Sequence, residues 1–119
     1  MVVEDDPEIL QVLKHVLQDK GFEVSVAQDG NHGLAIMETR ELDLVILDLM
    51  LPVRSGLLVL EWMRMHQKLS LPVIVITGNQ GGRHRAYAEL LGVHDYLEKP
   101  FTMDRLTESV SHLLASERV

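Results

Sequence analysis

Cysteine is absent from this 119-residue chain. Disulfides, thiolate metal sites and cysteine nucleophiles are excluded with it, and a reducing compartment is allowed. Positive charge is in deficit: 11 Lys and Arg against 18 Asp and Glu give a formal net charge of −7. An acidic surface of that kind argues against a direct grip on nucleic acid or an anionic membrane. No apolar run approaches the roughly 20 residues that a membrane-spanning helix needs. The opening MVVEDDPE has no basic flank and turns acidic at once, unlike a signal peptide. Linkers, repeats and low-complexity segments are missing too. What is present is 46% apolar residues over a length suited to one domain with a proper core. The expectation is a soluble, cytoplasmic single domain over residues 1–119.

Short apolar runs alternate with longer amphipathic stretches. The runs are Met1–Val3, Phe22–Ala27, Leu42–Leu47, Leu71–Thr77 and His94–Leu97. The third and fourth are continuous and β-branched, which reads as strands covered on both faces. FEVSV alternates and suits a strand nearer an edge. The first intervening helix starts with Asp6 as cap and Pro7 in its first turn, shows an Ile9, Leu13, Val16, Leu17 stripe, and stops at Gly21. Four more are expected over 31–40, 56–67, 83–91 and 103–116, the fourth stopped by Gly92 and the last with Leu106, Val110, Leu113 and Leu114 inward. Five βα units joined by right-handed crossovers demand a parallel sheet with helices on both faces. The expected architecture is an α/β three-layer sandwich with a five-stranded, flavodoxin-like sheet of order 2-1-3-4-5.

In such a sheet, ligands bind at the carboxyl ends of the strands. Strand one delivers Glu4, Asp5 and Asp6 there, strand three Asp48, strand four Thr77 and Gly78, and strand five Lys99 followed by Pro100. Each has a plainer reading. Asp6 alone is best taken as a helix cap, Thr77 as a strand end, and Lys99 as a solvated lysine. Glu4 and Asp5 precede the helix and are not explained that way. Pro100 confines Lys99 to extended geometry, which aims its long side chain. Three carboxylates brought together repel one another until a proton or a cation relieves them. Mg²⁺ fits, because it takes hard oxygen ligands. Asp5 and Asp48 are expected to bind it directly and Glu4 through water. A carboxylate beside Mg²⁺ and an ammonium can attack a phosphoryl group. Lys99 and the Thr77 hydroxyl are placed to take phosphoryl oxygens.

The motifs VVEDD, DLVILDLMLPVRSG, PVIVITG and GVHDYLEKPF, in this order and spacing, resemble the response-regulator receiver domains of bacterial two-component signalling. The resemblance covers essentially the whole chain. It implies Asp48 as phosphoacceptor, Glu4 and Asp5 as the acidic pair for Mg²⁺, and the Met50 backbone carbonyl as a further metal ligand. It also implies Thr77 as the switch hydroxyl, Lys99 as the family lysine and Tyr96 as the aromatic switch. Pro52 and Gly56 match the turn after the acceptor, and Met50 and Asn79 occupy positions that tune dephosphorylation. The implied partners are a sensor histidine kinase or phosphotransfer protein and a downstream effector domain or protein, with dimerisation on phosphorylation common in the family. A receiver is not an enzyme in the usual sense, although it assists its own phosphorylation and dephosphorylation.

This chain departs from the family pattern in two places. Its first strand is short, which should cost stability, and Gly33 stands where many members have alanine, which should weaken the second helix by about 1 kcal/mol. The helix opening LLVLEWM is apolar almost all round, a broad core face with Trp62 as a candidate partner contact. Six histidines share no metal-like spacing, and His15 and His112 are poor candidates for phosphotransfer.

Three other readings compete. An aspartyl-nucleophile phosphatase wants an acid two residues after the nucleophile, where Met50 stands. A flavin module wants a first loop rich in Ser, Thr and Gly, where this chain has EDDPE. An unphosphorylated docking module would not need the full set of acids, hydroxyl and lysine. No effector follows Val119, which leaves both a single-domain regulator and a fragment of a longer one open.

Overall fold

A computed structural model describes residues 1–66, 71–78 and 84–117. The elements alternate as β1(Val2–Val3), α1(Pro7–Asp19), β2(Val26–Ala27), α2(Gly30–Thr39), β3(Val45–Asp48), α3(Gly56–Met65), β4(Val73–Thr77), α4(Arg85–Leu90), β5(Asp95–Glu98) and α5(Met103–Glu117). All five strands are parallel and run in the order β2-β1-β3-β4-β5, as expected.

The side-chain period of two divides the central strands between two cores. Val3, Val45, Leu47, Val73 and Val75 face Leu34 and Met37 of α2, Val59, Leu60 and Met63 of α3, and Ala88 of α4. Val2, Ile46, Ile74, Ile76 and Leu97 face Leu10, Leu13 and Leu17 of α1 and Leu106 and Val110 of α5. Every residue of β3 and β4 is buried, which is why those two runs read as continuously apolar.

Element ends moved by a few residues. Only Val26–Ala27 of the expected second strand is β-structure. Its one partner is a two-residue strand, so the ladder has nothing to hold Phe22–Val24. The stripe of α1 is Leu10, Leu13 and Leu17, with Ile9 and Val16 half-buried at its edges. Asp6 caps α1 through Glu8 and Ile9 N–H groups, Pro7 opens it, and Gly21 follows it at φ 91°. The first strand is as short as expected, and Met1 lengthens its pairing: Ile46 N–H donates to the Met1 carbonyl, and the Met1 amine donates to Leu44. Gly33 lies against the Val3 side chain, where an added Cβ would come within 3.2 Å. Close helix–sheet packing therefore accounts for that glycine. Trp62 packs on the core and stacks on His66 at 4.1 Å. The expectations for Gln67, Asn79 and Arg83 lie outside the described residues.

Candidate functional site at the carboxyl rim of the sheet

Parallel register gathers the site. Val3 pairs with Leu47, so the next residues, Glu4 and Asp48, leave the sheet side by side. Asp48 pairs with Ile76, which sets Thr77 one position beyond, and Thr77 pairs with Glu98. The Lys99 N–H donates to the Thr77 carbonyl at 2.7 Å, which fixes where the lysine leaves β5. The Lys99–Pro100 peptide is cis.

One carboxylate oxygen from each of Glu4, Asp5 and Asp48 lies within 4.8 Å of the others. Glu4 is fully buried, the Asp48 side chain is 3% exposed, and Asp5 lies at the surface. Lys99 Nζ bridges the two buried acids, 2.5 Å from Glu4 Oε1 and 3.0 Å from Asp48 Oδ2. The remaining acceptors are also engaged. Met50 N–H donates to Asp48 Oδ1 at 2.9 Å, and Asp5 N–H donates to Glu4 Oε2 at 3.0 Å. These bonds answer how a carboxylate survives at the end of the most hydrophobic run, since buried charge is tolerated when paired and hydrogen-bonded.

The two acids share their protons unequally. Burial, with Asp48 adding to it, pushes the Glu4 carboxyl up to about 8. Burial also opposes ionisation of Asp48, but hydrogen bonds from Glu4, Met50 and Lys99 outweigh it and hold that carboxyl below its usual range. Burial disfavours the Lys99 ammonium, and its two acids more than restore it, so its pKa is raised. Without a cation, Glu4 is therefore the harder of the two acids to ionise. An ionised acid beside an ammonium and two further oxygen donors fits a hard divalent cation.

Thr77 is fully buried and donates weakly to the Gly78 carbonyl at 3.4 Å. Tyr96 is half-buried against the Val75 face of the sheet. Sequence reasoning found these residues and the turn at Gly56, but not the contacts around them. Gly56 is required by contact: a Cβ there would stand 2.2 Å from the Asp48 carbonyl oxygen. Ser55 caps α3 by accepting from Leu58 N–H, which aims that helix at the site. Arg85 lies over Tyr96, a contact with no signal in local sequence.

The fold and the rim define a flavodoxin-like domain with an acidic, lysine-bridged site. The family model of the response regulator receiver domain matches residues 1–111. The chain is 42% identical over 106 residues to the transcriptional regulatory protein DltR of Streptococcus agalactiae, covering 89% of this chain and 47% of that one. It is 32% identical over 119 residues to the alkaline phosphatase synthesis transcriptional regulatory protein PhoP of Bacillus subtilis, covering 100% and 49%. The chain thus spans about half the length of the curated relatives it matches. Among solved structures, the receiver domain of a Francisella response regulator superposes with a TM-score of 0.88 at 30% identity, covering 98% of this chain and 95% of that one. A CheY-like receiver domain protein from Methanospirillum hungatei gives 0.92 at 27% identity, covering 98% and 93%. This chain belongs to the response regulator receiver domain family. It is therefore a receiver domain of the two-component response-regulator type, a phosphorylation-dependent signalling module.

Proposed function

We propose that Asp48 is the phosphoacceptor and that the domain switches partners when it is loaded. The observation that carries this reading is the Lys99 ammonium set between Glu4 and Asp48, with Asp5 completing the acidic cluster. An Asp48 oxygen attacks phosphorus; the new O–P bond forms as the bond to the donor nitrogen of a kinase or phosphotransfer histidine breaks, and that nitrogen leaves with the electron pair. Glu4, Asp5, Asp48 and the Met50 backbone carbonyl would hold Mg²⁺. Bound there, the ion supplies charge neutralisation and orientation for the transferring group. Lys99 takes one phosphoryl oxygen and the Thr77 hydroxyl another. The same residues serve the reverse attack by water, so the domain assists its own loading and unloading.

The loaded state carries about two extra negative charges. Thr77 follows the phosphoryl group, Tyr96 repacks behind it, and the face formed by α4, β5 and α5 changes its partner preference as a population shift. The partners are a sensor histidine kinase or phosphotransfer protein on the input side and an effector domain or protein on the output side. The setting is the cytoplasm, and residues 1–119 act as one receiver unit. Membrane and nucleic acid are not direct partners, given the −7 charge.

Intact mass after incubation with Mg²⁺ and acetyl phosphate tests the assignment. One base-labile phosphate adduct is expected, absent in Asp48→Asn and absent without Mg²⁺. An adduct that persists in Asp48→Asn rules Asp48 out. Steady turnover of many phosphomonoesters would favour a phosphatase instead.

A further inference from the structure

The contact between α4 and β5 has no part in the acid cluster. The Arg85 guanidinium carbon stands 4.7 Å from the centroid of the Tyr96 ring. Arg85 Nε also donates to Glu89 Oε1 at 2.9 Å, one helical turn away, and both side chains are about half exposed. The ion pair spans positions i and i+4 of α4, so the helix itself presents the guanidinium. Tyr96 is therefore held from two sides. The core lies on one side of it, and a planar cation covers the ring face. A cation over an aromatic face is attracted by the ring quadrupole only while the face stays beneath it. A ring rotated outward would give up both the cation and its packing on the core.

We propose that Arg85 is a positioning residue, capping the Tyr96 ring and holding it against the core, so that α4 sets the resting balance between inward and outward Tyr96. The consequence for switching rests on the phosphoacceptor reading above; the cap itself belongs to the unphosphorylated protein. Coupling of this kind is reciprocal. A partner that draws Arg85 away with an acidic group shifts Tyr96 outward, and an outward Tyr96 frees Arg85 for such a partner. The acidic groups that face this pair are Glu89 and Glu98, and both stay with it in the unphosphorylated protein.

The test uses the chain with isotopically labelled tyrosine, whose three-bond couplings report the side-chain rotamer of Tyr96. Tyr87→Phe assigns the signals, since the chain has two tyrosines. Without phosphodonor, Arg85→Met is expected to lower the inward-to-outward ratio about two- to fivefold, and Arg85→Lys to recover part of it. Where the wild-type ratio is too one-sided to read, a double-mutant cycle of Arg85→Met with Tyr96→Leu on thermal unfolding decides, with a non-additive result expected. Equal ratios in wild type and Arg85→Met, equal losses in the Lys and Met variants, or an additive cycle overturn the cap. Intact mass after acetyl phosphate and Mg²⁺ is read on the same samples. An adduct with unchanged couplings defeats the cap alone; changed couplings with no adduct defeat the Asp48 assignment alone.

Discussion

Val53 holds φ at 67°, in the left-handed region that β-branched residues avoid. The Arg54 N–H donates to the Pro52 carbonyl at 2.7 Å, which closes a three-residue turn with Val53 at its centre. The side chain is 77% exposed, so packing gives little back. Val53→Gly should relieve the strain and lose part of the gain to unfolded-chain entropy, leaving a net stabilisation of about 1 kcal/mol. Denaturant unfolding at fixed slope measures it, and a loss of stability would show that the valine packs usefully. Gly56→Ala should do the reverse. Its Cβ would meet the Asp48 carbonyl oxygen at 2.2 Å and Leu49 Cα at 2.6 Å, so backbone has to move. A loss above about 3 kcal/mol is expected in the same experiment. Neither effect was legible in the sequence. The family resemblance matches Gly56 to the turn after the acceptor, but the clash depends on where β3 ends, and the strain at Val53 comes from the turn closing between two fixed elements.

Among the described residues α4 forms the shortest helix, and its end is held from outside. Arg64 of α3 donates from Nε to the Leu91 carbonyl at 2.6 Å and from Nη2 to the Gly92 carbonyl at 2.9 Å. A further bond reaches Leu71, just ahead of β4. One side chain thus satisfies carbonyls at the end of α4 and ties three segments together. Arg64→Met should raise amide exchange over residues 88–94 while leaving α1 unchanged, with a stability loss of about 1–3 kcal/mol. Uniform exchange across the chain would contradict a local brace. The helices and central strands were readable because period and burial agree there: Leu10, Leu13 and Leu17 repeat, and Val73–Thr77 is buried throughout. The second strand was misjudged because alternation in Phe22–Ala27 describes half-burial and does not guarantee a neighbour to pair with.

At the scale of the molecule, the site couples folding to pH. The Glu4 carboxyl is raised from 4.5 to about 8 in the folded chain. Its contribution to stability is complete below about pH 4.5 and is lost as pH rises through 8, because the folded state holds the proton that the unfolded state releases. The buried Met1 amine works the other way, its pKa lowered from 8.0 to about 6, so its cost to the folded state fades between those values. Comparing wild type with Glu4→Gln isolates the acid. Without Mg²⁺, the wild type should lose stability relative to Glu4→Gln between pH 5 and 8, by at most about 1.4 kcal/mol per pH unit. A parallel pair of curves would mean that Glu4 is already ionised at pH 5. The candidate site was more legible than its energetics: strand ends in a parallel sheet nominate Glu4, Asp5, Asp48, Thr77 and Lys99, whereas the unequal sharing of protons depends on burial and distances.

Lys99 reaches back 95 residues to Glu4 and 51 to Asp48. Synthesis from the amino end delivers both acids well before their ammonium. An interrupted product lacking the last strand would leave two buried carboxylates facing each other without the group that reconciles them. The acid pair at the carboxyl rim is therefore balanced only once β5 has been added to the sheet.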